Sequence, residues 1–129
     1  MKTSRLAGQK ILLVEDEILI ALDLECNLLD AGAEVVGPAM SAEEALELLE
    51  TSVVTAALID VQLGDHDSRS VAERLAGAGI PFVLHTGNRS DKVFNGLWPD
   101  APVVRKPAAP DKVVEALVGV AKWSGKSAG

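Results

Sequence analysis

Aromatic and sulfur-containing residues are scarce in this chain, and each scarcity narrows what the protein can be. Of its 129 residues, 3% are aromatic and none is Tyr, so the core must be aliphatic and no aromatic platform exists for stacking nucleic-acid bases. The single cysteine, Cys26, excludes an intramolecular disulfide, and one Cys with two His excludes a structural zinc site. The lack of disulfides suits a reducing compartment, so we expect a cytoplasmic protein.

Basic residues are outnumbered by acidic ones. The 12 Lys and Arg oppose 19 Asp and Glu, which gives a formal net charge of -7 at pH 7. Because nucleic-acid binding depends on clustered Lys and Arg, we expect no nucleic-acid partner. No apolar run is long enough to span a bilayer, and residues 1–9 contain no apolar signal core. We therefore expect neither a membrane location nor secretion.

The rest of the composition is that of one folded domain. Hydrophobic residues make up 48% of the chain, which argues against disorder, and the length is usual for a domain with its own core. Small and polar residues at both ends predict a flexible N-terminal tail at residues 1–8 and a flexible C-terminal tail at residues 123–129. The domain itself is predicted to span residues 9–122.

Apolar strand-like runs alternate with helix-period segments along this domain. Strands are predicted at residues 10–14, 33–37, 55–60, 80–85 and 102–105. Five helices are predicted, at 17–31, from residue 41, at 68–78, at 88–97 and from residue 110, and the fourth of these is expected to be short or irregular. The alternation predicts an α/β fold, a flavodoxin-like doubly wound sheet of five parallel strands in the order 2-1-3-4-5.

Two of the helices allow more detailed predictions. Ser41 and Glu44 have the spacing of a capping box, which predicts that a helix begins at this point. The first helix is expected to bury one apolar face, made of Ile18, Ala21, Leu22, Leu28 and Leu29.

Residues with chemically useful side chains lie at the ends of four predicted strands: Glu15, Asp16, Asp60, Thr86 and Lys106. Because parallel strands present their carboxyl ends at one edge, these side chains should converge in one crevice. Three carboxylates repel one another, so the crevice should take up a proton or hold a cation, and hard oxygen ligands suit Mg²⁺. A lysine and a hydroxyl beside them can bind phosphoryl oxygens, so the set indicates phosphoryl transfer to Asp60.

Each of these residues, taken alone, also fits a structural role. Acidic residues at 15–17 can simply stabilise the start of the first helix, and an Asp at a strand end is often a turn or cap residue. The functional interpretation is favoured because all of the features fall on one predicted edge.

The sequence strongly resembles the receiver domain of two-component response regulators. The matching segments are ILLVEDE at 11–17, ALIDVQL at 57–63, LHTG at 84–87 and VRKP at 104–107, and the resemblance covers about residues 9–122. It implies that Asp60 is the phosphoacceptor, Thr86 the switch hydroxyl and Lys106 the phosphoryl-binding lysine. It also implies a peptide bond between Lys106 and Pro107 in the cis form, and a Mg²⁺ ion held by Glu15, Asp16, Asp60 and the backbone carbonyl of Gln62.

The resemblance further implies a signalling function. A sensor histidine kinase or a histidine phosphotransfer protein would donate the phosphoryl group. Because only a short tail follows the domain, we expect a single-domain regulator that binds a downstream protein target or serves as a phosphorelay intermediate or phosphate sink. Val103 stands where the family often has a switch aromatic, so we expect ordering of residues 87–97 to replace the aromatic rotation.

Two other functions remain as alternatives. A pseudo-receiver would be a binding module that is never phosphorylated, although all the acceptor-site residues are present. A phosphatase with an aspartate nucleophile would need a second acid two residues after Asp60, and that position is Gln62. We therefore expect no enzymatic activity beyond self-phosphotransfer and self-dephosphorylation.

Overall fold

The computed structural model describes residues 5–63, 66–87, 97–106 and 110–128, and for residues 63, 66, 67, 110 and 122–128 it describes the backbone alone. Two predictions fall outside these residues. They are most of the predicted fourth helix, at 88–96, and the peptide bond to Pro107.

The described residues form seven strands and four helices. The strands are β1 (Lys10–Val14), β2 (Glu34–Ala39), β3 (Ala56–Asp60), β4 (Gln62–Leu63), β5 (His66–Asp67), β6 (Phe82–Thr86) and β7 (Val103–Arg105). The helices are α1 (Ile18–Asp30), α2 (Ala42–Thr51), α3 (Arg69–Gly77) and α4 (Pro110–Ala128).

Five of the strands form one parallel sheet in the order β2-β1-β3-β6-β7. Since β6 and β7 are the fourth and fifth strands of this sheet, the predicted order is confirmed. The central strands β3 and β6 are buried along their whole length, as parallel strands covered by helices on both faces must be.

The core consists of two apolar layers, one on each face of the sheet. Alternate residues of a strand point to opposite faces. One layer joins the sheet to α2 and α3 and contains Ile59 and Leu84. The other joins it to α1 and α4 and contains Leu58 and Val83; this side is named the α1/α4 face.

The start of α2 has the predicted capping interactions. The Glu44 backbone N–H donates to Ser41 Oγ at 3.1 Å, and the Met40 backbone N–H donates to Glu44 Oε1 at 2.6 Å. The Glu44 carboxylate thus bonds the amide one residue before the cap, and the helix begins where the sequence predicts.

The end of β2 differs from the prediction. The strand continues past Gly37 to Ala39, which pairs with Val14 after an irregularity in the β1–β2 register. Gly37 has a φ of 106°, and a Cβ there would lie 2.7 Å from the Ala39 backbone nitrogen. Glycine lets the chain make this irregular turn and remain in the sheet, whereas the sequence interpretation took Gly37 as the end of the strand.

The loop predicted after Asp60 contains a small element that sequence periodicity did not reveal. Strands β4 and β5 form a two-stranded antiparallel ladder, in which Gln62 pairs with Asp67 and Leu63 pairs with His66. Two residues per strand are too few for an alternating pattern to appear in the sequence.

The buried face of α1 was predicted wrongly in three of five positions. Ala21 and Leu28 are buried, but Ile18, Leu22 and Leu29 are about half exposed. Apolar residues surround much of this helix, so periodicity alone could not select the stripe that faces the sheet.

Both predicted tails contain ordered structure. Leu6 is fully buried on the α1/α4 face, and its backbone N–H donates to the Ala31 carbonyl at 2.8 Å. Packing therefore begins before residue 9. At the other end, α4 continues through residues 123–128. None of the helices within the described ranges combines the length and the apolar character that crossing a bilayer requires.

Two adjacent leucines of α1 provide a test of the observed buried face. Leu28 is 0% exposed and Leu29 is 52% exposed. Leu28→Ala should lower the free energy of unfolding by about 3 kcal/mol, because it leaves a cavity in the core. Leu29→Ala, the matched control, should change it by less than about 0.5 kcal/mol. Urea unfolding followed by circular dichroism measures both, and equal losses would contradict the observed orientation of α1.

Candidate functional site

The ends of four neighbouring strands bring a set of charged and polar side chains to the carboxyl edge of the sheet. Glu15 and Asp16 follow β1, Asp60 is the last residue of β3, Thr86 is the last residue of β6, and Lys106 follows β7. These strands are neighbours in the order β1-β3-β6-β7, so the five predicted residues lie on one edge.

Asp60 lies near the centre of this edge and is held on both carboxylate oxygens. It is 4% exposed. The Gln62 backbone N–H donates to its Oδ1 at 3.1 Å, and the Lys106 ammonium donates to its Oδ2 at 3.0 Å. The carboxylate is thereby oriented by one contact from its own loop and one from a distant strand.

Lys106 also contacts a second acid. Its Nζ lies 3.1 Å from Glu15 Oε1. The two groups form an ion pair, but their angles are not those of a hydrogen bond. The lysine backbone is fixed at β6, where its N–H donates to the Thr86 carbonyl at 2.7 Å. One ammonium therefore neutralises parts of two buried carboxylates.

Three carboxylates meet beside this lysine. Glu15, Asp16 and Asp60 each offer an oxygen, and these oxygens lie within 4.8 Å of one another. Glu15 is fully buried, and burial, together with a hydrogen bond and charge repulsion from Asp60, raises its pKa from 4.5 to about 7. Burial is the largest of these causes, and it favours the protonated form of Glu15.

The pKa values of the two basic residues near the cluster are shifted in opposite directions. Burial by itself lowers the pKa of Lys106, but its interactions with Asp60 and Glu15 outweigh this, and the net shift is upward. His85, on β6, is 4% exposed. Burial and the positive charge of Lys106 lower its pKa to about 4, and the negative charge of Asp60 opposes the shift only in part, so the imidazole is neutral.

The structure thus brings together the residues that the sequence singled out. Glu15, Asp16 and Asp60 offer oxygens within 4.8 Å of one another, Lys106 forms ion pairs with Glu15 and Asp60, and Gln62 follows Asp60 closely in β4. Sequence reasoning did not assign His85 to the site. The sequence does contain a signal for His85, because a histidine in an otherwise apolar strand directly precedes the predicted switch hydroxyl.

Comparisons with known proteins find regulatory proteins of similar sequence and fold. No protein-family model matches the chain. It is 35% identical over 79 residues to the transcriptional regulatory protein PdtaR of Mycobacterium tuberculosis, a match that covers 60% of this chain and 38% of that protein. It is also 35% identical to the response regulator PhyR of Brucella abortus, with a TM-score of 0.78 over 97% of this chain and 52% of PhyR.

A third neighbour matches over its whole length. It is a CheY-like receiver domain protein from Methanospirillum hungatei, 26% identical, with a TM-score of 0.82 over 92% of this chain and 98% of that one. The structural neighbours are response-regulator receiver domains of two-component systems, and the chain has their CheY-like fold. This fold is that of a signalling domain. The chain spans about half of PhyR and less than half of PdtaR.

The opposite pKa shifts of Glu15 and His85 predict opposing effects of pH on stability. Folded Glu15 keeps its proton up to about pH 7 while the unfolded chain loses it near pH 4.5, so this residue makes stability fall as pH rises through that window. Folded His85 stays neutral down to about pH 4 while the unfolded chain binds a proton below pH 6.5, so this residue makes stability rise with pH.

Single substitutions should separate the two effects. We compare the free energy of unfolding of each variant with that of wild type as pH rises from about 4.5 to 6.5. This difference should increase for Glu15→Gln and decrease for His85→Val, in each case by up to about 3 kcal/mol. Urea unfolding in metal-free buffers across this range measures the slopes. Shifts of the same sign in both variants would contradict the assignment.

Proposed function

We propose that the chain accepts a phosphoryl group on Asp60, in a Mg²⁺-dependent reaction, from a sensor histidine kinase or a histidine phosphotransfer protein. The phosphorylated domain then changes its binding to a downstream protein or passes the group on. The observation that carries this proposal is the 3.0 Å hydrogen bond from Lys106 to Asp60 within a cluster of three carboxylates. A cytoplasmic location is part of the proposal, because the single cysteine suits a reducing compartment.

The acidic residues fit a magnesium ion. Three carboxylates face one ammonium, and the buried Glu15 Oε1 has an ion pair with Lys106 but no hydrogen bond from the described residues. Glu15, Asp16, Asp60 and the Gln62 carbonyl would hold the ion, all through the oxygen ligands that Mg²⁺ prefers. When bound, the ion would offset the negative charge of the acids and of the incoming phosphoryl group.

The chain's own residues supply the rest of the chemistry. An oxygen of the Asp60 carboxylate attacks the phosphorus of the donor phosphohistidine. The P–N bond breaks, its electron pair stays on the imidazole, and Asp60 becomes an acyl phosphate. Lys106 turns its ammonium towards a phosphoryl oxygen, and the Thr86 hydroxyl donates to another. The added charge then favours a different arrangement of the loop after Thr86.

Incubation with acetyl phosphate and Mg²⁺ tests the acceptor role directly. Intact-mass measurement should show the addition of one phosphoryl group to the wild-type chain, and none when the metal is removed with EDTA. Asp60→Asn should abolish the addition, because an amide oxygen is a poor nucleophile. Asp23→Asn is the matched control, since Asp23 is exposed on α1, and it should react as wild type does. An unmodified wild-type chain would instead support a pseudo-receiver.

Replacing the lysine should separate metal binding from phosphoryl transfer. Lys106→Met removes the ammonium that lies between Asp60 and Glu15, so Mg²⁺ should bind several-fold more tightly. Phosphorylation by acetyl phosphate should slow by about a hundredfold, because one charge that stabilises the transferring group is lost. Calorimetric titration and timed mass spectra measure these effects, with the exposed Lys112→Met as control. Weaker Mg²⁺ binding in Lys106→Met would be inconsistent with the proposed site.

A further inference from the structure

His85 is a buried side chain whose hydrogen-bonding capacity is not used by any of the described residues. It is 4% exposed, and within the described part of the chain neither Nδ1 nor Nε2 has a hydrogen-bond partner. A neutral imidazole has one N–H donor and one acceptor nitrogen, and leaving both unpaired in the core is costly. Valine or another apolar residue would fill a buried strand position without this cost, so the histidine needs an explanation.

The position of His85 in the sheet places it beside the acidic cluster. His85 pairs with Asp60 in the parallel register of β6 and β3. By strand alternation it lies on the α1/α4 face, as Val83 does two residues earlier, and Asp60 lies on the same face, as Leu58 does. The histidine is therefore the residue of β6 nearest in register to the phosphoacceptor on that face.

Lys106 must pass over β6 to reach Asp60. It follows β7, and β6 lies between β7 and β3 in the sheet. The crossing occurs at Gly87, where an added Cβ would lie 3.5 Å from Lys106 Cβ and 3.9 Å from its Cδ. Since Gly87 is two residues after His85, the lysine side chain crosses the strand immediately beyond the histidine, on the same face.

The histidine does not belong to the acidic cluster itself. Among the described residues, the group of carboxylate and imidazole ligands that lie within 4.8 Å of one another contains Glu15, Asp16 and Asp60 but not His85. Lys106, whose side chain passes Gly87 two residues beyond the histidine, has an ammonium with three N–H groups. In this structure that ammonium is directed at Asp60 and Glu15.

We propose that His85 is a positioning residue for Lys106. Its acceptor nitrogen is unpaired while the lysine binds the Asp60 carboxylate. The same nitrogen accepts an N–H of the ammonium once Asp60 carries a phosphoryl group. The inference rests on the proposed function. Phosphorylation converts the Asp60 carboxylate into an acyl group without its own negative charge, so the ammonium must redirect its N–H groups. One reaches a phosphoryl oxygen, and His85 takes another.

This arrangement favours the phosphorylated form. The unpaired acceptor nitrogen raises the free energy of the unphosphorylated protein, and this part of the cost is removed when the lysine turns. The histidine should therefore lower the stability of the unphosphorylated fold and at the same time tighten the binding of a phosphoryl group. A residue with a merely structural role would not produce these two effects together.

Beryllium fluoride with Mg²⁺, which stands in for the phosphoryl group on Asp60, allows both effects to be measured. In His85→Val the urea midpoint of the unliganded protein at pH 7 should rise, and the dissociation constant for beryllium fluoride should increase about tenfold, the loss of one buried hydrogen bond to a charged group. His85→Asn retains a side-chain acceptor and should bind beryllium fluoride close to wild type. Val83→Ala, a buried change on the same strand and face, should lower stability and leave the dissociation constant unchanged.

A spectroscopic measurement reports the hydrogen bond itself. Imidazole ¹⁵N spectra of the wild-type chain should show one His85 nitrogen shift towards a hydrogen-bonded acceptor when beryllium fluoride is added. The chain has two histidines, and the spectrum of His85→Val identifies which signals belong to His85.

The outcomes separate this inference from the proposed function. If wild type binds beryllium fluoride and His85→Val binds it equally well, or if His85→Asn is as weak as His85→Val, the positioning role is wrong while the acceptor function stands. If wild type neither binds beryllium fluoride nor reacts with acetyl phosphate, the proposed function fails and this inference fails with it.

Discussion

The hydrogen bond between Lys106 and Asp60 joins residues 46 positions apart in the chain and on strands that are not neighbours in the sheet. It can form only if β7 lies parallel to β3 with β6 between them, so that the carboxyl ends of all three strands reach the same edge. The two apolar layers hold the strands in that register. The fold thus places the ammonium of Lys106, which follows the last strand, against the carboxylate of Asp60 at the centre of the sheet.

Burial strengthens the contact between Lys106 and Asp60 but also disfavours the charged forms of the side chains around it. The same loss of water that raises the pKa of Glu15 lowers the pKa of His85, because burial disfavours the charged form of any side chain. Lys106 remains charged because two acids surround it. The crevice therefore contains three carboxylates with one ammonium, together with an uncharged imidazole that has no hydrogen-bond partner among the described residues.

Much of the fold and of the candidate site could be predicted from the sequence. Alternation of apolar runs and helical periods predicted the five-stranded sheet and its order. The acidic residues after β1 and at the end of β3 were recognised before their contacts were known. The errors fall where local patterns are ambiguous. Apolar residues surround α1, Gly37 interrupts β2 without ending it, and β4 and β5 are too short to show a period.

Sequence alone determined which residues stand at the strand ends, because strand periodicity and the position of each polar residue are local properties of the chain. Only the tertiary structure decided that Lys106 passes over β6 at Gly87 and that Leu28 rather than Leu29 enters the core. It also decided that His85 lies beside this crossing with no hydrogen bond to any described residue. The direction and partners of a side chain depend on elements distant in the chain, and no local pattern records their packing.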